Sequence, residues 1–148
     1  MIGTLELRAF AAGLVLLGSS GNAMAQAFNR IERETLQEMF VRSLSRGDWR
    51  IDHTCLWGYF FTDTDTAKLE AAATELMATG YNYVSIFDVE PEGGEERFYF
   101  LHVERVERHS VDSLHQRNAV LYDLADRYNL DSYDGMDVGP LSDGECAN

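Results

Sequence analysis

Apolar residues recur with helical spacing over residues 28–46. Ile31, Leu36, Met39, Phe40 and Leu44 fall near one stripe, and Glu32, Arg33, Glu34, Glu38 and Arg42 lie largely elsewhere. This predicts an amphipathic helix, closed by Gly47. The period then changes. Over residues 51–62, Trp57, Tyr59 and Phe61 alternate with Leu56 and Phe60, which predicts a strand. Both of its faces are apolar, so it is expected at the centre of its sheet. The run Thr62-Asp63-Thr64-Asp65-Thr66 offers helix-capping side chains. The helix behind it, to about Thr79, presents Leu69, Ala72, Ala73, Leu76 and Met77, with Gly80 as its stop.

Residues 83–89 predict a second strand, Pro91 to Glu95 a hairpin turn, and residues 97–106 a third strand rich in aromatic and β-branched residues. Ser110 caps a further helix that buries Leu114, Leu121, Leu124, Ala125 and Tyr128. Residues 132–138 predict a fourth strand, in which Gly135 suggests a bulge or sharp bend. The order βαββαβ, with right-handed crossovers, predicts an α+β chain: a ferredoxin-like sandwich with an extra N-terminal helix. Strands one and three are expected in the middle of an antiparallel sheet, with strand four beside strand one. Helices of the βαββαβ unit cover one sheet face only. The N-terminal helix is expected to cover the other, because an aromatic face of that size is rarely left open.

Length supports a single domain of 148 residues. Its expected parts are a leader (1–25), the N-terminal helix (26–50), the sandwich (51–141) and a loose polar tail (142–148). The leader has a compact apolar run over residues 9–18, polar residues 19–22, then Ala23-Met24-Ala25. That is the layout of a secretory signal with Gln26 as the first mature residue, although Glu6 dilutes the positive charge of Arg8. The expected location is therefore periplasmic or secreted, with no membrane association after cleavage. The alternatives are a buried helix, or a cytoplasmic chain starting at Met24.

Charge narrows the choice of partner. Twenty-five acidic against 12 basic residues give a net charge of −13. Such a surface repels nucleic acid, whose recognition needs basic patches, and favours a basic protein partner; it equally serves plain solubility. An RNA-recognition reading of the aromatic strands fails on the same sign and on the absence of glycine-spaced aromatics in Arg97-Phe98-Tyr99-Phe100-Leu101-His102-Val103.

Candidate chemistry is thin. His53, His102, His109 and His115 form no close ligand pair, so neither a metal nor a cofactor is expected. His102, Glu104 and Asp134 are the best set an enzyme offers, without a nucleophile or phosphate loop beside them. No catalytic residue is expected. Asn118 lies on or beside an apolar stripe, between Leu114 and Leu121, and is expected to clip the helix to strand four through its backbone, Tyr133 or Asp134. Cys55 and Cys146 are too few for a disulfide framework and wrongly spaced for zinc. The topology brings both to the same end of the sheet, where a bond needs Cα atoms within about 7 Å. The alternatives are that bond, favoured by export, or a buried free Cys55 with an incidental Cys146.

The stretch Leu114-x-x-Arg117-Asn118-x-x-Leu121-x-x-Leu124-Ala125-x-x-Tyr128, followed by Tyr133-Asp134-Gly135, resembles the C-terminal half of RraB-family domains. Those often carry Trp after Tyr-Asp-Gly, where this chain has Met136. The resemblance covers roughly residues 52–140. It implies a ferredoxin-like fold and an acidic, non-enzymatic protein that binds ribonuclease E away from its active site and lowers RNA turnover. Arg117, Asn118, Tyr133, Asp134 and Gly135 carry the motif, and Asp134, Asp137, Glu90, Glu92, Glu95 and Glu96 are candidate contact acids. A long acidic C-terminal tail found in some members is absent from this sequence. An exported member would have a different, unknown protein partner. The alternative reading is an exported small-ligand-binding or structural module, with a pocket between the N-terminal helix and strands one to three.

Overall fold

The computed structural model describes residues 30–47 and 49–148. Its elements are α1 (Arg33–Arg46), β1 (Thr54–Asp63), α2 (Thr66–Ala78), β2 (Asn82–Val89), β3 (Phe98–Arg108), α3 (Val111–Arg127) and β4 (Ser132–Gly139). A short 3-10 turn, Glu92–Gly94, joins β2 to β3. The signal-like segment lies outside the described residues, as do Phe28 and Asn29 of the expected first helix. That helix begins later than expected, at Arg33, behind a Glu32 that makes no side-chain cap. The other boundaries shift by a few residues, with β3 reaching two residues beyond its expected end.

Four strands form one antiparallel sheet in the order β2-β3-β1-β4. With the chain order this is the arrangement of a ferredoxin-like sandwich, and β1 lies inside it as its two apolar faces required. Local chemistry explains the helix starts. Asp65 accepts from the Ala67 amide at 2.9 Å. Ser110 and Ser113 form a reciprocal capping box, leaving fewer orphan amides at the start of α3.

The core lies between the sheet and one layer of helices. Trp57, Tyr59, Phe61, Leu101 and Val103 are fully buried from the sheet side, against Leu69, Leu76, Leu114 and Leu121 from α2 and α3. Each such burial contributes about 1.5–3 kcal/mol. Met77, expected in this layer, is instead exposed, because it falls at the side of the buried stripe of Leu69, Ala72, Ala73 and Leu76. Tyr128 is only partly buried.

The expectation that α1 covers the second sheet face is overturned. Phe40 stacks on Trp57 with ring centroids 6.4 Å apart, on the face already covered by helices. The Ile31 amide donates to the Tyr122 hydroxyl at 2.9 Å, and Arg33 pairs with Asp112 at 2.6 Å, both on or beside α3. The stripe of Leu36, Met39 and Phe40 thus widens the helical layer, since its apolar neighbours lie there. The expected pocket between this helix and the second face does not form, because the two are on opposite sides of the sheet.

Cys55 and Cys146 are joined in a disulfide, with Cα atoms 4.6 Å apart. Ala147 exchanges two backbone hydrogen bonds with Thr54, at 2.9 and 2.8 Å. The tail expected to be loose is therefore held along the start of β1.

Candidate functional site

The α3–β4 motif is a buried polar clip. The Tyr133 hydroxyl donates to Asn118 Oδ1 at 2.7 Å, and Asn118 Nδ2 donates to Met136 Sδ at 3.6 Å. Asn118 is 1% exposed, so these partners offset an amide desolvation that would otherwise cost about 1–3 kcal/mol. Met136 serves the amide with a soft acceptor. Burial pushes the Tyr133 hydroxyl well above its ordinary range, so it acts as a proton donor at any physiological pH. Asp134 is the extra residue of a bulge: Phe60 pairs with Gly135 while Phe61 pairs with Tyr133. Gly135 has φ +120°, a backbone state that a Cβ disfavours.

Arg117, the remaining motif residue, belongs to a charged network that the sequence did not reveal. Glu107 accepts from Tyr59 at 2.7 Å and lies 3.0 Å from His109 Nε2. Arg117 and Arg105 pair with its other oxygen, Arg105 at 3.2 Å. An ionised carboxylate only accepts, so His109 Nε2 carries the shared proton. His109 Nδ1 lies 3.0 Å from Ser113 Oγ, which ties the network to the capping box of α3. Both guanidinium groups lie over the Tyr81 ring, at 5.2 and 5.7 Å. Burial opposes the Glu107 charge, but the hydrogen bonds from His109 and Tyr59 and the Arg117 charge outweigh it and hold the carboxyl at about 2. Burial, then the Glu107 charge, pushes the Tyr59 hydroxyl far above its ordinary value. A groove of about 530 Å³ runs past Arg105, Glu107, Arg108, His109, Ser113 and Arg117. Its ionised groups are mostly spent on one another. The i, i+2 spacing of Arg105, Glu107 and His109 was the available signal, since it puts all three on one side of β3.

The second sheet face is different. Alternation along β1 and β3 places Leu56, Gly58, Phe60, Phe98, Phe100, His102, Glu104 and Val106 there. No described element covers it. Phe60 lies 6.4 Å from Phe100, Phe87 stacks on Phe100 at 5.5 Å, and Phe98 lies 5.6 Å from Phe100. His102 stacks on Phe60 at 4.4 Å. One row further along the strands, Glu104, Gly58 and Asp137 stand side by side. A Cβ on Gly58 would fall 2.3 Å from Asp137 Oδ1 and 2.9 Å from His102 Nε2, so only glycine lets the two side chains close over this position.

Of the possible enzymic set, His102 Nε2 is 3.5 Å from Glu104 Oε1, and Asp134 is confined to the bulge on edge strand β4. Glu90, Glu92, Glu95 and Glu96 come together as exposed residues of the β2–β3 connection, while Asp134 and Asp137 lie on the opposite edge strand. No group of three or more histidine, cysteine or acidic side chains among the described residues is arranged to hold a metal. No described helix is long and apolar enough to cross a membrane.

No curated protein matches the chain significantly. A family profile does: RraB, described as regulator of ribonuclease activity B, matches residues 33–138. That span begins at the first residue of α1 and ends one residue short of the end of β4, which is more than half of the chain. Motif, strand order and profile agree, and the chain belongs to the RraB family of regulators of ribonuclease activity.

Proposed function

We propose that this protein is a non-enzymatic regulator that lowers the activity of a ribonuclease, ribonuclease E by family resemblance, by binding the enzyme as a protein partner. The observation that carries this reading is the family match across every helix and strand described. Two features support it. The net charge of −13 favours a basic protein surface over nucleic acid. The ionisable side chains that gather on the helical side of the sheet, Glu107, His109, Arg105 and Arg117, serve one another as structural partners. The test is a cleavage assay in which purified ribonuclease E is titrated with this protein, alongside a binding measurement at rising salt. Slower cleavage and binding that weakens with salt are expected. Neither binding nor slower cleavage, at low salt, sinks the reading.

A second reading concerns the compartment and is favoured by the Cys55–Cys146 bond. Disulfides persist in oxidising compartments, and residues 1–25 have a signal-like layout. On this reading the mature chain begins at Gln26, is exported, and meets a partner other than ribonuclease E, or serves as a structural module. Intact mass of the native protein in separated cell fractions decides. A chain from Gln26 without free thiols supports export. A cytoplasmic chain from Met1 or Met24 with both thiols free removes it.

A further inference from the structure

We propose that the open face of the sheet is the docking surface, and that its occupant is an arginine-bearing segment of a protein partner. This rests on the reading that the chain acts by binding protein, and it adds where and by what chemistry. The centre of the surface is the ring cluster of Phe60, Phe87, Phe98 and Phe100, partly exposed and with no described element over it. Carboxylates bracket that cluster at both ends. Glu104 and Asp137 form the row beyond Phe60 and His102. Glu90, Glu92, Glu95 and Glu96 stand in the connection that runs from Val89 to Phe98. The basic groups nearby are already engaged: Arg97 pairs with Asp88, and Arg108 Nε donates to the Asp52 carbonyl at 3.1 Å.

Rings flanked by acids suit a guanidinium better than any other side chain. Arginine lies flat on an aromatic face, is weakly hydrated, and reaches a carboxylate with its remaining donors; the compact ammonium of lysine does this less well. The protein uses the same contact on its closed side, where guanidinium groups lie over Tyr81 and Tyr122. Among the described residues, the phenylalanine rings of the open face carry no such cation. The alternative occupants fit less well. A second copy, packed face to face by a two-fold axis, would bring these carboxylates near their own counterparts. Single-stranded nucleic acid would stack on the rings but set its phosphates against the acids.

The experiment uses the full chain and a fluorescent peptide in which arginine alternates with glycine, with a lysine counterpart of equal charge. The variant is Phe87→Ala with Phe98→Ala, which leaves the charge unchanged; Val41→Ala on the exposed side of α1 is the control. Wild type should bind the arginine peptide roughly tenfold more tightly than the lysine peptide, and the double variant should lose about the same factor. Val41→Ala should bind as wild type. Equal affinity for both peptides, unchanged in the double variant, overturns the proposal. Should the double variant unfold, amide shifts of labelled wild type on adding the arginine peptide replace it. Changes centred on Phe60, Phe98, Phe100 and His102 support the proposal, and changes elsewhere overturn it. A dimer that the double variant abolishes, or displacement of the peptide by single-stranded RNA, also overturns it. Ribonuclease E inhibition measured in parallel separates the two claims. If the double variant still inhibits fully, the docking surface is wrong and the regulator reading stands. If wild type fails to inhibit or bind the enzyme yet binds the arginine peptide through this face, the surface stands and that reading falls.

Discussion

Along β1, Trp57, Tyr59 and Phe61 are completely buried, while Leu56 and Phe60, one residue away, remain partly open. The same strands thus present two faces of similar aromatic content and opposite fate. The closed face lies under α1, α2 and α3, and two of its buried hydroxyls find partners inside the protein, Tyr59 in Glu107 and Tyr133 in Asn118. On the open face the rings touch mainly one another, and the acids stand at the margins. Aromatic content alone did not decide which face was covered. The deciding factor was where α1 could place its stripe, and Trp57 with the flank of α3 offered it a dry site beside the existing helices. A face left open next to a face so fully closed is a difference that mutation can measure.

The largest effect is expected from Phe61→Ala. This residue is completely buried, with its ring centroid 5.1 Å from that of Tyr133. Truncation removes the ring and leaves a cavity, with a loss of about 3–5 kcal/mol in urea unfolding. A loss below about 1 kcal/mol would mean that the closed face is not packed as described.

Cys146→Ser should cost somewhat less, about 3 kcal/mol, through the unfolded chain more than through the folded one. The bond links residues 91 apart in sequence, and its removal frees a long loop in the denatured ensemble. Oxidised wild type should resist urea better than the variant, and reduced wild type should match it. If all three unfold together, the tail is not held to the start of β1 in solution.

Acid should probe the polar lining of that face. Glu107 sits at about 2 in the folded protein, below the ordinary 4.5 of an unpaired glutamate. Folding therefore stabilises its ionised form. The contribution is complete above pH 4.5 and fades as the pH falls toward 2. Its size is roughly 2 kcal/mol, given a side chain only 8% exposed and shared among several partners. Unfolding of wild type and Glu107→Gln at neutral pH and near pH 3 isolates it: the gap between them should shrink in acid. A gap that holds constant would show that the carboxylate charge is not what this network stabilises.

The sequence made the element order, the central place of β1 and the capping by Ser110 legible, because apolar periodicity and end-capping chemistry are local. The Asn118 clip was also readable, as an amide on an apolar stripe must find partners, and Tyr133 was within reach on the next strand. The placement of α1 was not. An amphipathic stripe says that a helix has one apolar face, and says nothing of which sheet face receives it. The Glu107 network was hidden for a related reason. It joins Tyr59, Glu107, His109 and Arg117 from three elements, and only the β1–β3 register and the docking of α3 bring them together. Met77 is exposed because helical spacing marks a stripe but not how wide a stripe the sheet covers.

The smallest effect, and the one that tests the comparison most directly, is expected from Phe87→Ala. Like Phe61→Ala it removes a phenylalanine ring from the sheet, but on the opposite face. The ring is 42% exposed on the outer strand β2 and touches chiefly Phe100. Much of its area is already in water, so truncation forfeits one stacking contact, worth about 0.5–1.5 kcal/mol, and opens no enclosed cavity. A loss of about 0.5–1.5 kcal/mol in urea, with an unchanged denaturant slope, is the expected result. A loss as large as that of Phe61→Ala would mean that something in the chain covers this face in solution. In that case the rings would be core, and the face would not be free to receive a partner.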